Sequence, residues 1–225
     1  MDNIKEVAQV IVEAYRYSLL GIALLGLVAW KKPVPFYRML SVYLILMAGM
    51  EFFGVYLAKV LNGRNHIFVL LDALTDVVFF SVLYARCLLE KKTKLFLLLS
   101  ILSAAYICFE LFYNFIYKQV SVKEFQPYSK IVSDAFIIIL ALHFLYEKMN
   151  AFTATKVKHF WFNNVVMLYF TINLLVYLPF NFLVNESTGV KFVFWTLNVF
   201  CIEAFYLFLL SVILKEALRK KAVTS

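Results

Sequence analysis

Seven stretches of about 20 or more largely apolar residues follow one another with only short polar breaks, and this pattern limits the fold more than any other feature. They run from Val7 to Trp30, Phe36 to Leu61, Ile67 to Glu90, Leu95 to Tyr117, Tyr128 to Met149, Phe160 to Val184 and Phe192 to Leu214. A backbone in lipid must satisfy its own N–H and C=O groups, so only helices or closed barrels can span. The runs of Leu, Ile, Val and Phe are continuous and lack the two-residue alternation of barrel strands. The expected fold class is therefore all-α, a polytopic membrane bundle of seven transmembrane helices, with residues 1–225 forming a single transmembrane domain. The fifth span has the shortest purely apolar stretch and needs Tyr128 to Lys130 to reach full length.

Composition points to the same solvent. Of 225 residues, 64% are hydrophobic and 16% charged, whereas about a quarter of a soluble domain is charged, and the mean hydropathy is +0.82. The first apolar run contains Glu13 and Arg16, has no small-residue cleavage site and leads directly into further spans. It is expected to be a retained helix rather than a signal peptide. Cys87, Cys108 and Cys201 fall inside apolar runs without paired spacing, and are read as small apolar fillers.

The net charge of +8 does not imply a nucleic-acid partner, because the lysines and arginines sit in short loops. Short positive loops remain cytoplasmic. Lys31, Lys32, Arg38, Arg86, Lys91, Lys92, Lys94, Lys148, Lys156, Lys158, Lys215, Arg219, Lys220 and Lys221 fall on one side; Lys5, Arg16, Lys59, Arg64, Lys118, Lys123, Lys130 and Lys191 fall on the other. This bias predicts an outside N-terminus and a cytoplasmic C-terminus. A 3+1+3 parallel internal repeat is also suggested, with helices one to three matching five to seven. Val12-Glu13-Ala14-Tyr15 lines up with Ser133-Asp134-Ala135-Phe136, Glu51 with Asn173, and Asp76 with Glu203.

Charges within spans cost at least about 2.5–3.5 kcal/mol each on insertion scales, so they normally face the bundle interior and often mark function. The candidate ligand-binding or pocket residues are Glu13, Arg16, Glu51, Asp72, Asp76, Glu110, Asp134, Asn173, Tyr177, Asn198 and Glu203. With the orientation above, Glu13, Arg16, Asp72, Glu110, Asp134 and Asn181 fall in the outer parts of their helices. Glu51, Asp76, Asn173, Asn198 and Glu203 fall near the middle. The inner half is almost free of such groups, His143 being the main exception. Inward-pointing side chains at these depths would line a funnel open to the outside, which a kink at Pro179 would widen. Helical spacing supports shared faces for Asp72 and Asp76, for Tyr169, Asn173, Tyr177 and Asn181, and for Ser103, Tyr106, Glu110 and Tyr113, while Glu13 and Arg16 are spaced to pair. A single intramembrane polar residue more often only knits helices together, at about 0.6 kcal/mol. The set is harder to dismiss, because seven carboxylates against one arginine cannot all be neutralised internally. An acidic, aromatic-rimmed cavity favours a cation, an amine or protons.

Motifs for chemistry are missing. The only lysine of helix seven is Lys191, at its end, which argues against a retinal Schiff base. His66, His143 and His159 lie on different segments, which argues against a metal centre. No nucleophile elbow, phosphate loop, paired-Glu protease motif or potassium-channel filter occurs. Asn185-Glu186-Ser187 is formally a glycosylation sequon. No enzymatic activity, cofactor or metal is expected.

Glu51 in helix two, Asn65-His66 opening helix three, Phe79-Phe80-Ser81, and the Phe194-Trp195 start of helix seven together resemble small uncharacterised bacterial seven-helix integral membrane proteins. The likeness covers most of the chain and implies a fold and a bacterial inner membrane, but no activity. The 3+1+3 plan is also similar to that of sugar and vitamin carriers of the SWEET and PnuC type, whose motif residues are not found here. Besides the lipid bilayer, the expected partners are a small polar or cationic ligand and a membrane or cytoplasmic protein, with no nucleic acid. A sensory or partner-regulating module is the leading expectation; a secondary transporter of a small solute or proton and a structural subunit of a membrane complex are the alternatives.

Overall fold

The computed structural model of the protein describes residues 2–27, 34–60, 67–90, 94–118, 120, 125–150, 159–183 and 190–221. Among them are seven α-helices and no strand: α1 Asp2–Gly26, α2 Pro35–Val60, α3 Ile67–Leu83, α4 Lys94–Leu111, α5 Tyr128–Asn150, α6 Phe160–Leu183 and α7 Val190–Lys221. α3 and α4 each end in a wider π-helical turn, over Tyr84–Leu88 and Phe112–Tyr117. These turns close with Leu89 N–H donating to Tyr84 O at 2.9 Å and Lys118 N–H to Tyr113 O at 2.8 Å. α5 begins at Tyr128, so its first turn does include Lys130.

Among the described residues six helices are long and apolar enough to cross a bilayer: Pro35–Leu57, Ile67–Leu88, Lys94–Tyr117, Tyr128–Asn150, Phe160–Leu178 and Thr196–Glu216. α1 is the seventh helix, and Asp2, Lys5, Glu6, Glu13 and Arg16 lie along it. α6 continues through Pro179 to Leu183. The side chains of Pro179, Asn181 and Lys191, the residue His66 and the sequon Asn185-Glu186-Ser187 lie outside the described residues.

The chain divides into two compact units, Met1–Asn65 with Thr188–Ser225, and His66–Ser187. The first unit packs α1, α2 and α7 together. α1 contributes Leu19, Ile22, Ala23 and Gly26, α2 Leu40, Tyr43, Leu44 and Met47, and α7 Phe205, Tyr206, Leu209 and Ile213. Each set recurs at three- and four-residue steps, so each helix buries one stripe. At Gly26 side chains of α2 come close to the α1 backbone: a Cβ added there would lie 3.4 Å from Leu44 Cδ1, and Ser41 Oγ donates to Gly26 O at 2.7 Å. Small residues permit such approaches between apolar helices.

The second unit packs α3, α5 and α6 around a common core, with α4 against α3 and α5. Val77, Phe80 and Leu83 of α3, Ile137, Leu140 and Phe144 of α5, and Val166 and Phe170 of α6 are buried. Phe80 meets Phe170 edge to face, with centroids 5.0 Å apart. α4 buries only Ile107 and Glu110, leaving Leu97, Leu98, Ile101, Leu102 and Phe109 exposed for lipid to cover. The halves of a 3+1+3 repeat do not coincide with these units, because α3 packs with α4–α6 and α7 with α1 and α2.

Truncation of Phe80 to Ala opens a hole against Phe170, and is expected to cost about 3–5 kcal/mol. Val82→Ala, on the exposed side of the same helix, stays within about 0.5 kcal/mol of the parent. Thermal unfolding of the purified protein in detergent compares the two.

Candidate functional site

In the second unit a lysine organises the buried polar residues. Lys130, in the first turn of α5, is 6% exposed, and its Nζ lies 2.6 Å from Asp76 Oδ2 of α3 and 3.3 Å from Asp134 Oδ1, one turn along α5. Asn173 of α6 donates from Nδ2 to Asp134 Oδ2 at 3.1 Å, and Ser133 Oγ donates to Ala73 O at 3.2 Å. The ammonium also lies over the Phe170 ring, 5.7 Å from its centroid, and within electrostatic reach of Tyr169 and Tyr177. One cation and two carboxylates thus lie away from water. The expectation of seven carboxylates facing a single arginine is corrected here: Lys130, counted as a charge near a helix end, is an internal counter-ion.

A second polar group lies further along the same helices. Tyr84 donates from Oη to Asn163 Oδ1 at 2.7 Å, and Asn163 Nδ2 donates to Ala141 O at 3.2 Å. Lys148 pairs with Glu90, whose backbone N–H donates to Glu147 Oε1 at 2.8 Å. The expectation that this half is almost free of buried polar groups therefore fails at Asn163, which is fully buried near the start of α6. His159 precedes it at φ 64°, in the left-handed region that non-glycine residues adopt sparingly, and its carbonyl accepts the Asn163 N–H at 3.0 Å.

In the first unit Arg16 Nε lies 2.9 Å from Glu51 Oε1. Arg16 thus pairs across to α2 rather than with Glu13, which is exposed on its own helix. Ser18 donates to Glu203 Oε1 of α7, while Glu203 Oε2 is buried without a hydrogen bond. Asn198, also on α7, is 6% exposed.

Glu110 is met by a hydroxyl, whereas Asp76 and Asp134 are met by the Lys130 ammonium. It is 6% exposed and on α4; Ser129 of α5 donates to its Oε2 at 2.6 Å, while its Oε1 is buried without a hydrogen bond. It lines a cleft of about 530 Å³ together with Tyr106, Phe109, Tyr113, Asn114, Lys118, Val120, Gln126 and Tyr128. Phe109, Tyr113 and Tyr117 stack in sequence along α4, with centroids 5.9 and 5.8 Å apart. Lys118 Nζ stands 5.6 Å from the Tyr113 centroid. A buried carboxylate oxygen with no donor, beside aromatic faces, can receive a hydrogen-bonding cation.

Within each unit the residues expected to line the pocket meet different partners. Asp76, Asp134 and Asn173 meet at Lys130, with Tyr177 nearby; Glu110 lines its own cleft. Arg16 and Glu51 form a pair, Glu203 meets Ser18, and Asp72 is half-buried on α3. Among the described residues no three His, Cys, Asp or Glu side chains are grouped to hold a metal ion.

With the described residues all-helical and six of their helices long and apolar enough to span, the chain is a helical, multi-pass membrane protein. Compared with known proteins, it matches no family model, no curated protein and no solved structure.

Lys130→Met leaves Asp76 and Asp134 buried without their cation, and is expected to destabilise by about 3–5 kcal/mol. Adding Asp76→Asn and Asp134→Asn removes all three charges and recovers most of that loss. Thermal midpoints in detergent test both; a single variant as stable as the parent would sink the account of Lys130 as the organising counter-ion.

Proposed function

We propose that the protein is a non-enzymatic sensory or partner-regulating module of the bacterial inner membrane, with all seven helices spanning, its N-terminus outside and a small polar or cationic ligand taken into the Glu110 cleft. One observation carries this reading: Glu110 is a buried span acid that lines a cleft and keeps one carboxylate oxygen without a hydrogen bond. The ends of α4 and α5 that form the cleft belong to the outer side in the orientation argued from the loop charges. Asp76 and Asp134, in contrast, are engaged by Lys130. Beyond them Phe80, Phe170, Ile137 and Leu140 form a layer of buried apolar side chains. That layer favours reception of a ligand over its passage. The basic C-terminal end of α7 is the proposed contact for a membrane or cytoplasmic partner.

A transporter of a small solute or proton is the second reading. It is favoured by the Lys130 cluster, where two carboxylates share one ammonium and the surplus negative charge invites a proton. Proton or solute flux in proteoliposomes, abolished by Asp76→Asn, would decide for it.

The first reading predicts that a panel of small amines and polar solutes contains members that raise the thermal midpoint of the purified protein saturably. Glu110→Gln is expected to remove the effect, whereas Glu51→Gln leaves it. Stabilisation that survives Glu110→Gln for every such solute contradicts the assignment of the pocket. Reporters fused to the C-terminus are expected to report a cytoplasmic location.

A further inference from the structure

We propose that the Glu110 cleft recognises a phosphoethanolamine group, Glu110 taking the primary ammonium and Lys118 the phosphate. This rests on the reading of that cleft as the ligand pocket, and goes further in naming the chemistry that fits it.

Glu110 selects the kind of cation. Its Oε2 accepts from Ser129 and the Tyr106 hydroxyl stands beside the carboxylate, while Oε1 is buried without a hydrogen bond. An orphan buried acceptor is costly until a donor reaches it. A primary ammonium brings three N–H donors; a quaternary ammonium brings none and leaves the oxygen as it was. The rings of Tyr106, Tyr113 and Tyr128 line the same cleft and favour positive charge over their faces. Aromatic walls alone would accept either cation, so the carboxylate oxygen makes the choice.

Lys118 sets the other half of the ligand. Its Nζ lies over Tyr113 and it lines the cleft that Glu110 lines. A lone amine would meet this second cation as a repulsive neighbour, whereas a zwitterion satisfies both ends. Glu110 and Lys118 line the same cleft, so one ligand bearing both an ammonium and an anion can engage the two of them. Phosphate is the anion that a lysine binds as a point charge.

The cleft is also placed where such groups occur. It is formed at the ends of two spanning segments, beside the exposed aromatics Phe109, Tyr117 and Tyr128, and tyrosines collect at headgroup depth. The same phosphoethanolamine chemistry comes from a lipid headgroup or from a free solute, and the two sources are separable by experiment.

The full chain in maltoside micelles is titrated with dihexanoyl phosphatidylethanolamine, dihexanoyl phosphatidylcholine, free phosphoethanolamine and free phosphocholine, reading thermal midpoints. The ethanolamine probe is expected to bind at least about tenfold more tightly than its choline counterpart. Glu110→Gln brings that ratio close to one. Lys118→Gln, on the exposed rim, weakens ethanolamine and choline probes alike by about threefold or more and preserves the ratio. Should Glu110→Gln fail to fold, the parent's ratio and the Lys118→Gln response still decide. Saturation by the lipid probe alone identifies a headgroup, and saturation by both identifies a soluble source. Equal affinity for ethanolamine and choline, a ratio that survives Glu110→Gln, or no binding of either ethanolamine probe overturns the proposal. Glu110-dependent binding of other amines in that last case would leave the pocket reading intact.

Discussion

An ammonium group withdrawn from water has to carry its counter-charges with it, since the desolvation of an unpaired ion outweighs anything that apolar packing returns. Lys130 imposes this condition on the second unit. Its Nζ draws Asp76 from α3 and Asp134 from α5, and Asp134 in turn takes the Asn173 amide from α6. Three helices are thus tied at one level. Apolar contacts between helices in lipid discriminate little among registers, because lipid tails are as apolar as leucine. A polar group that must meet its partner does discriminate. Sliding α5 by one turn would carry Lys130 away from Asp76 and Ser133 away from Ala73 O, and no apolar gain offsets that. The Tyr84–Asn163–Ala141 group acts in the same way at the opposite end, with the Phe80–Phe170 contact between them.

This layered arrangement explains what the sequence made legible. Helix existence depends on length and hydropathy, which are additive along the chain, and the segments from Phe36 onward appear as helices within a few residues of the expected bounds. α7 instead continues to Lys221, because Glu216, Ala217 and Leu218 are good helix formers and no Gly or Pro stops the chain there. Partner choice is not additive. Arg16 and Glu13 have favourable spacing on one helix, yet Arg16 lies against Glu51, a pairing that depends on how α1 and α2 cross. Lys130 and Asn163 were hidden for a related reason: residues close to a helix end resemble loop residues in sequence. A long lysine side chain nevertheless reaches a carboxylate several residues deeper in the neighbouring helix. The signal that marks Lys130 is its spacing of four from Asp134, the ordinary helical ion-pair interval.

The span acids accordingly do different work, although the sequence presents them as one set. Asp76 and Asp134 hold helices in register, and Glu51 offers Arg16 a partner at a half-exposed position. Glu110 meets a serine hydroxyl, which neutralises none of its charge, and opens onto a cleft. Which span acids are ion-paired, as Asp76, Asp134 and Glu51 are, is therefore a feature of tertiary packing and not of residue type or depth.

The location of the receptive acid follows from how unevenly the second unit is packed. Sites that exchange a ligand need neighbours that can move at little cost, and such mobility belongs to regions with few buried apolar contacts. α4 has two buried side chains, whereas α5 buries a polar and apolar stripe from Ser129 to Phe144. A small displacement of the α4 end would disturb the Glu110–Ser129 bond and the aromatic stack but leave the Lys130 cluster untouched. The π-helical turn over Phe112–Tyr117 adds to this: its wider ring shifts the register of Tyr117 and Lys118 relative to a continued α-helix, and such turns often occur at functional sites. Rigidity is concentrated where α3, α5 and α6 share charges, and adaptability where α4 lies at their edge. A ligand bound at Glu110 would then act on the arrangement of α4 against α3 and α5, the part of this unit with the least packing to resist it.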